Sequence, residues 1–289
     1  MISIGIIGNG FVGDAIHQGL REHYNVLVYD TDPKKSLNDI REINEAKYVF
    51  LCVPTPTTIE GKIDLSIVKS AIYDLTGEKI IIIKSTLTPS AAEEIAKTFP
   101  DKEFVFNPEF LSERTAAEDF KNPSRIVLGG PPAAVGKVKE MYRKVFPSVK
   151  YITTDRRTAC FIKYYSNCFS AAKISVINEF KQIADSHGID WEAALDGFLS
   201  SGWVNPMHTM VPGHDGHRGF GGKCFPKDLI AFINYSENMG IDPTMLKSAW
   251  NKNLKVREKH DWLHITGAIS KGEKNEQYED RFESNPQRG

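Results

Sequence analysis

Cysteine is scarce in this sequence: four of 289 residues, Cys52, Cys160, Cys168 and Cys224. No two of them form a CxxC pair, and their spacing frames no disulfide scaffold. Long apolar runs are missing too; none approaches the ~18 residues that a membrane-spanning helix needs. The apolar opening MISIGIIGNG has no basic flank and no small-residue cleavage pattern, so it reads as a first strand rather than a secretion signal. Without an export signal, the chain is expected in a reducing cytoplasm. Neither sign of charge dominates, since 36 basic residues face 37 acidic ones for a formal net charge of -1. That excludes a bulk positive field able to hold a nucleic acid or an anionic membrane, and leaves room only for a local basic pocket suited to a small phosphorylated ligand.

What is present is an ordinary soluble globular balance, 41% hydrophobic and 25% charged, in a chain long enough for one large domain or two ordinary ones. The first half alternates short β-rich runs with helical patterns. Strands are expected at 2–7, 25–29, 48–53, 79–84, 103–106, 125–129 and 150–154. Several are continuous apolar runs, as in strands covered on both faces. Between them DLSIVKSAIYDL and PSAAEEIAKTF read as helices, so a parallel sheet with right-handed crossovers follows. After residue 154 the strand signals stop. Residues 155–186 contain neither Gly nor Pro and read as one long helix, closed by His187-Gly188. Three more helices are expected: DWEAALDGFLSS, a stretch beginning near Pro226, and one from about Pro243 to Leu263. The fold class is thus a Rossmann-type, doubly wound, mostly parallel α/β sheet (1–154), followed by an all-α domain built on one long helix (155–268) and a polar, disordered tail (269–289).

The first strand runs directly into Gly8-Asn9-Gly10-Phe11-Val12-Gly13 and then a helix. Gly8 permits a tight turn, Gly10 lets backbone approach a pyrophosphate, and Gly13 lets helix and strand pack closely. The helix N-terminus offers N–H groups to the phosphates. Asp30 closes the second strand, 22 residues after Gly8. That is near the ~20 expected of a carboxylate that binds the ribose 2′-OH and repels a 2′-phosphate, which favours NAD over NADP. FAD is the competing dinucleotide, but nothing else in the chain points to a flavin domain.

Two further features carry chemistry. Lys163 and Asn167 leave the same face of the long helix among apolar neighbours, where they could stabilise an oxyanion. The competing reading is a solvated stripe with a snorkelling lysine. Cys224 lies just before a helix, between Lys223 and Lys227, a setting that lowers a thiol pKa. Asp228 follows one helical turn later, and five glycines lie between Gly213 and Gly222. A metal reading would use His208, His214, Asp215 and His217, but it lacks the second cysteine pair of a zinc motif.

Taken in order, GNGFVG (8–13), VYDTDPKK (28–35), CVPTPT (52–57), KSTLTP (84–89), NPEFLSE (107–113), KYYSNCFSAAKISVINE (163–179) and FGGKCFPKD (220–228) resemble the UDP-glucose/GDP-mannose dehydrogenase family. The resemblance implies oxidation of a nucleotide-sugar CH₂OH to a carboxylate with two NAD⁺, most simply UDP-glucose to UDP-glucuronate. It makes Cys224 the nucleophile, which captures the aldehyde as a thiohemiacetal and then holds a thioester. It gives Lys163 and Asn167 the developing alkoxide, Asp228 and Thr86 the hydrolytic water, and Glu113 general acid–base work and closure of the nicotinamide site. Val12, Asp30, Lys35, Thr55, Thr86, Glu113 and Lys227 match cofactor contacts. Glu109, Phe110, Leu111 and Glu113, with Lys163 and Asn167, match contacts to the sugar nucleotide. So does the loop from Gly213 to Gly221, with Arg218 and Phe220. No metal is implied.

Two departures stand out. Usual members of the family carry a third, C-terminal α/β domain that grips the nucleotide. This sequence reaches DWLHITGAIS and a polar tail instead, which reads as the natural ending of a short form. SSGWVNP stands where the family places a basic residue that reaches the partner subunit's substrate, and Arg218 is the candidate substitute. The long helix has apolar positions beyond one face, so a homodimer through it is expected. Two other readings stay open: a one-step β-hydroxyacid-type dehydrogenase, which needs no cysteine, and a catalytically silent NAD- or nucleotide-sugar-binding module.

Overall fold

Every apolar run expected as a strand is one in the computed structural model, which describes residues 2–270. The strands are β1 (Ser3–Ile7), β2 (Asn25–Tyr29), β3 (Tyr48–Leu51), β4 (Ile80–Ile83), β5 (Glu103–Phe106), β6 (Arg125–Gly129) and β7 (Lys150–Thr154). They form one sheet in the order β2-β1-β3-β4-β5-β6-β7. Neighbours pair in parallel, except that β5 and β6 meet antiparallel through Phe106 and Gly129. The helices between them are α1 (Phe11–Leu20), α2 (Ile40–Ile43), α3 (Ser66–Tyr73), α4 (Pro89–Thr98), α5 (Ala116–Lys121) and α6 (Pro132–Arg143).

The continuous apolar strands are explained by burial on both faces. Tyr48, Phe50, Ile80 and Ile82 enter one core cluster, while Val49, Leu51, Ile81 and Ile83 enter the other. Alternate side chains of a strand leave opposite faces, so both faces of β3 and β4 are covered by helices. The chain goes from β1 to β2 on one side and then crosses back to β3 on the other. That reversal makes the carboxyl ends of β1 and β3 the place where an open α/β sheet binds ligands.

The helices that follow are α7 (Arg156–His187), α8 (Trp191–Leu199), α9 (Cys224–Asn238) and α10 (Thr244–Val256), then a 3-10 turn at Asp261–Leu263. Asp155 starts α7 by accepting from the N–H groups of Arg157 at 2.8 Å and Thr158 at 3.0 Å. Gly188 ends it in the left-handed region at φ +63°. One helix is shorter than expected: α10 stops at Val256, not near Leu263, because Arg257 turns extended at φ -91° and ψ 118° and its side chain is drawn elsewhere. Among the described residues no helix is long and apolar enough to cross a membrane.

The chain divides into two compact units, with the division inside α7. The first holds residues up to Thr55 and Ile63–Lys163; the second holds Pro56–Lys62 and the chain from Tyr164 onward. In the second unit Thr57 bridges to Ile269, and Ile269 is buried beside Trp262 and Ile230. Packing therefore extends at least to Ser270; the rest of the tail expected to be disordered lies outside the described residues.

Candidate active site

In the first unit, Gly8 stands at φ +94°, and a Cβ there would lie 2.8 Å from the Cys52 carbonyl oxygen. A Cβ on Gly13 would lie 2.0 Å from the carbonyl oxygen of Gly8, so strand and helix meet backbone to backbone. A Cβ on Gly10 would meet nothing within 4 Å, which leaves an open cradle over the start of α1. Asp30 accepts from the N–H groups of Asn9 at 2.6 Å and Asp32 at 2.8 Å, which fixes its carboxylate beside that cradle. The Asn9 side chain donates to the Lys35 carbonyl at 2.7 Å, while its own carbonyl oxygen is buried without a partner among the described residues. Val12 is half-buried and the Lys35 side chain is exposed. Across the switch point Thr55 donates to the Thr86 carbonyl at 2.9 Å, tying the loops after β3 and β4 together. An open glycine cradle, an unused helix N-terminus, a fixed carboxylate and an orphaned buried acceptor suit a dinucleotide.

The same unit buries a chain of polar groups. Lys163 and Glu109 form an ion pair at 2.9 Å, with side chains 5% and 7% exposed. Lys163 is therefore no snorkelling surface lysine, and the reading of a solvated stripe fails at this position. Glu109 also accepts from the Leu111 N–H at 2.7 Å. Burial alone would raise the Glu109 carboxyl, but the Lys163 charge, its hydrogen bond and the Leu111 N–H outweigh it and hold the carboxyl below its usual range. Phe110 lies under both Arg125 and Lys163. Glu113 is exposed at the turn before α5.

Three residues of this network, Lys84, Asn107 and Tyr142, carried no role in the sequence reading. Lys84, at the end of β4, donates to the Asn107 side chain at 3.2 Å, and Tyr142 donates to the same oxygen at 2.7 Å. Burial pushes Lys84 down to about 8, with nearby Cys52 and Glu109 resisting the shift. The available signal was a lysine closing a strand of four isoleucines, inside an otherwise apolar sheet.

The second unit holds the thiol. Cys224 is the first residue of α9 and is half-buried. The helix thus begins two residues before Pro226, and Cys224 stands in the first turn, at the positive end of the helix dipole. Burial pushes Cys52 up to about 12 and drives Cys160 and Cys168 upward as well. Asp228, one turn into α9, is almost fully buried. It accepts from the Asn167 amide at 2.6 Å and from Lys227 at 2.5 Å. So Asn167, one turn beyond Lys163 on α7, is tied to the helix that begins with the thiol.

The loop before α9 is pinned along its length. Gly213 donates to the His217 carbonyl at 2.8 Å, and Phe220 is buried among Phe225 and Trp250. Arg218 pairs with Asp185 of α7. Asp215, one of the four residues of the metal reading, is in an ion pair with Arg257 at 2.7 Å, and His208 packs edge-on against Phe225. Among the described residues no group of three or more His, Cys, Asp or Glu is placed to hold a metal ion.

The profile of the NAD binding domain of the UDP-glucose/GDP-mannose dehydrogenase family matches residues 35–146, and that of the family's central domain matches 157–255. UDP-glucose 6-dehydrogenase of Rickettsia felis is 36% identical over 231 residues, covering 73% of this chain and 48% of that protein. UDP-glucose 6-dehydrogenase AglM of Haloferax volcanii is 32% identical over 250 residues, covering 78% of this chain and 56% of its own. A UDP-glucose dehydrogenase from Pyrobaculum islandicum superposes with a TM-score of 0.78 at 26% identity, over 88% of this chain and 69% of that one. The chain spans about half the length of the two relatives matched by sequence.

Proposed function

The chain belongs to the UDP-glucose/GDP-mannose dehydrogenase family, and we propose that it oxidises a nucleotide-sugar CH₂OH to a carboxylate in two NAD-dependent steps through a thioester on Cys224, with UDP-glucose as the substrate. The observation that carries the reading is Cys224 as the first residue of α9, with Asp228 buried one turn later and held by Asn167 and Lys227. Bound NAD supplies the hydride acceptor for both oxidations, and Gly8, Gly10, Gly13 and Asp30 are the residues that would hold it.

The remaining work falls to side chains of this chain. Lys163, paired with Glu109, stabilises the alkoxide that develops when the sugar hydroxyl loses its proton. The Cys224 thiolate then adds to the aldehyde carbon, a C–S bond forms, and the carbonyl oxygen takes up a proton. The second oxidation converts that adduct to a thioester. Water adds to the acyl carbon, the C–S bond breaks, and the carboxylate and thiolate separate. Asp228 is the group that orients this water, with Thr86 assisting, and Glu113 takes part in acid–base steps at the nicotinamide side. The direct test follows NADH in the presence of UDP- and GDP-sugars. Two NADH per acid formed from one sugar is the expected stoichiometry; no turnover with any sugar, or one NADH per product, sinks the proposal.

Two further expectations belong here. Replacing Asp30 by Asn keeps the shape and removes the charge that meets the ribose 2′-OH. NAD affinity is expected to fall roughly tenfold, the loss of one charge-assisted hydrogen bond, while NADP binding improves. Calorimetric titration with both dinucleotides checks this, and an unchanged preference would remove Asp30 from the cofactor site. The second concerns assembly. Tyr165, Phe169, Val176, Phe180 and Ile183 lie along one stripe of α7 and are each about half or more exposed. We infer a homodimer through this stripe. Light scattering at micromolar concentration is expected to give a dimer, and Phe169→Glu with Phe180→Glu a monomer; a monomeric parent protein would rule it out.

A further inference from the structure

Arg257 is nearly fully buried yet belongs to no part of the reaction described above. It sits just past α10, where the chain turns extended and points the side chain back toward the loop that precedes Cys224. Its guanidinium donates to Asp215 at 2.7 Å and Asp261 at 3.1 Å, and its Nε donates to the Lys259 carbonyl at 2.9 Å. Nη1 has no acceptor among the described residues. The guanidinium lies directly against Gly221, where a Cβ would come within 2.1 Å of Nη2 and 2.3 Å of Asp261. Asp261 in turn accepts from the Gly222 N–H at 3.0 Å. Fully buried Asn253 of α10 exchanges two bonds with Phe220, at 2.7 Å from its N–H and 2.9 Å to its carbonyl. Asn178 of α7 accepts from the Gly219 N–H at 3.0 Å. The four residues from Gly219 to Gly222, which end two places before the cysteine, are thus gripped by side chains from α7, α10 and the 3-10 turn.

We propose that Arg257, acting with Asp261 and Asn253, is a positioning residue for Cys224: its guanidinium packs on Gly221 and fixes the backbone from which α9 and its first residue start. Asp215 extends the grip to the far side of the loop, so one side chain ties both ends of the glycine stretch. A lysine could keep the charge at 257 but not the planar fork that meets Asp215 and Asp261 together. This inference rests on the reading of Cys224 as nucleophile, yet its main test does not need turnover.

The test measures the rate of Cys224 alkylation by iodoacetamide, resolved by peptide mass spectrometry, in the full chain and its variants. Arg257→Ala is expected to change that rate at least fivefold. Gly221→Ala, whose Cβ takes the space of the guanidinium, should change it in the same direction, and the double variant should change it no further. In the oxidation assay Arg257→Lys should lower kcat severalfold with KM for NAD unchanged. If Arg257→Ala does not fold, Asp261→Asn replaces it, with the same expected rate change. An alkylation rate within twofold of the parent in the folded variant, or single effects that multiply in the double, overturns the proposal. Should the parent oxidise no sugar, the functional reading fails by itself and the alkylation series still decides this one.

Discussion

Replacing Cys224 with Ala is expected to lower acid formation by on the order of 10³-fold or more while leaving NAD affinity unchanged. The affinity holds because the glycine cradle and Asp30 belong to the first unit and the thiol to the second. Activity falls because no other sulfur can substitute. Burial pushes Cys52 up to about 12 and raises Cys160 and Cys168, so their thiolates are scarce at neutral pH. Serine at 224 should restore little, since its hydroxyl is not ionised at neutral pH. The first oxidation can survive the loss, because Lys163 and Glu109 remain, but the aldehyde then has nothing to hold it. NADH per sugar consumed should fall toward one, with aldehyde in solution trapped by a hydrazine reagent. A one-step dehydrogenase would keep its full rate in the variant, and a silent binding module would show none in either protein. Net conversion to acid at the parent rate in Cys224→Ala would end the thioester mechanism.

The parts of this structure that follow from local pattern were legible in advance. The isoleucine run at 80–83 is a strand because only a strand sends alternate side chains into two cores, and the Gly8 turn is where a strand must hand over to a helix. The start of α9 was legible within two residues from Pro226 alone. What could not be read were choices of partner across long stretches of chain. Asn167 shares a helix face with Lys163 in the sequence pattern, yet its hydrogen bond goes to Asp228, 61 residues away. Periodicity carried the last helix on toward Leu263; it stops at Val256 because Arg257 is bound to Asp215, 42 residues earlier. Lys84 closes a strand whose pattern says only that it should be buried, and burial of a lysine is interpretable only once Asn107 and Glu109 are seen beside it. In each case the deciding term is the need to satisfy a buried polar group, which any sufficiently close donor or acceptor can meet.

Glu109→Ala is expected to destabilise the first unit by about 3–5 kcal/mol at pH 7, because it leaves the Lys163 ammonium buried without its counter-ion. Lys163→Met leaves the opposite charge, with a different escape. Glu109 can take up a proton, and with Lys163 gone burial, already the largest single influence on it, is no longer outweighed by the ion pair. The pH dependence therefore separates the two variants. In the parent protein the Glu109 carboxyl is held below its usual range, so its contribution is full above about pH 4.3, the unfolded value, and is lost as pH falls through the folded value. In Lys163→Met the shift reverses. Stability should then be greatest in acid and decline as pH rises through 4.3, because the unfolded carboxyl ionises first. Urea unfolding at about pH 3, 4.5 and 7.5 measures both slopes, and single variants within about 1 kcal/mol of the parent at pH 7.5 would mean that water reaches the pair. The double variant Glu109→Leu with Lys163→Met closes the cycle. Two apolar side chains of similar volume can replace a buried ion pair at little loss of stability, so the double is expected to be more stable than either single. It should also be inactive, having no ammonium to meet the alkoxide. A stable, inactive double would show that the pair is kept for the reaction and not for the fold.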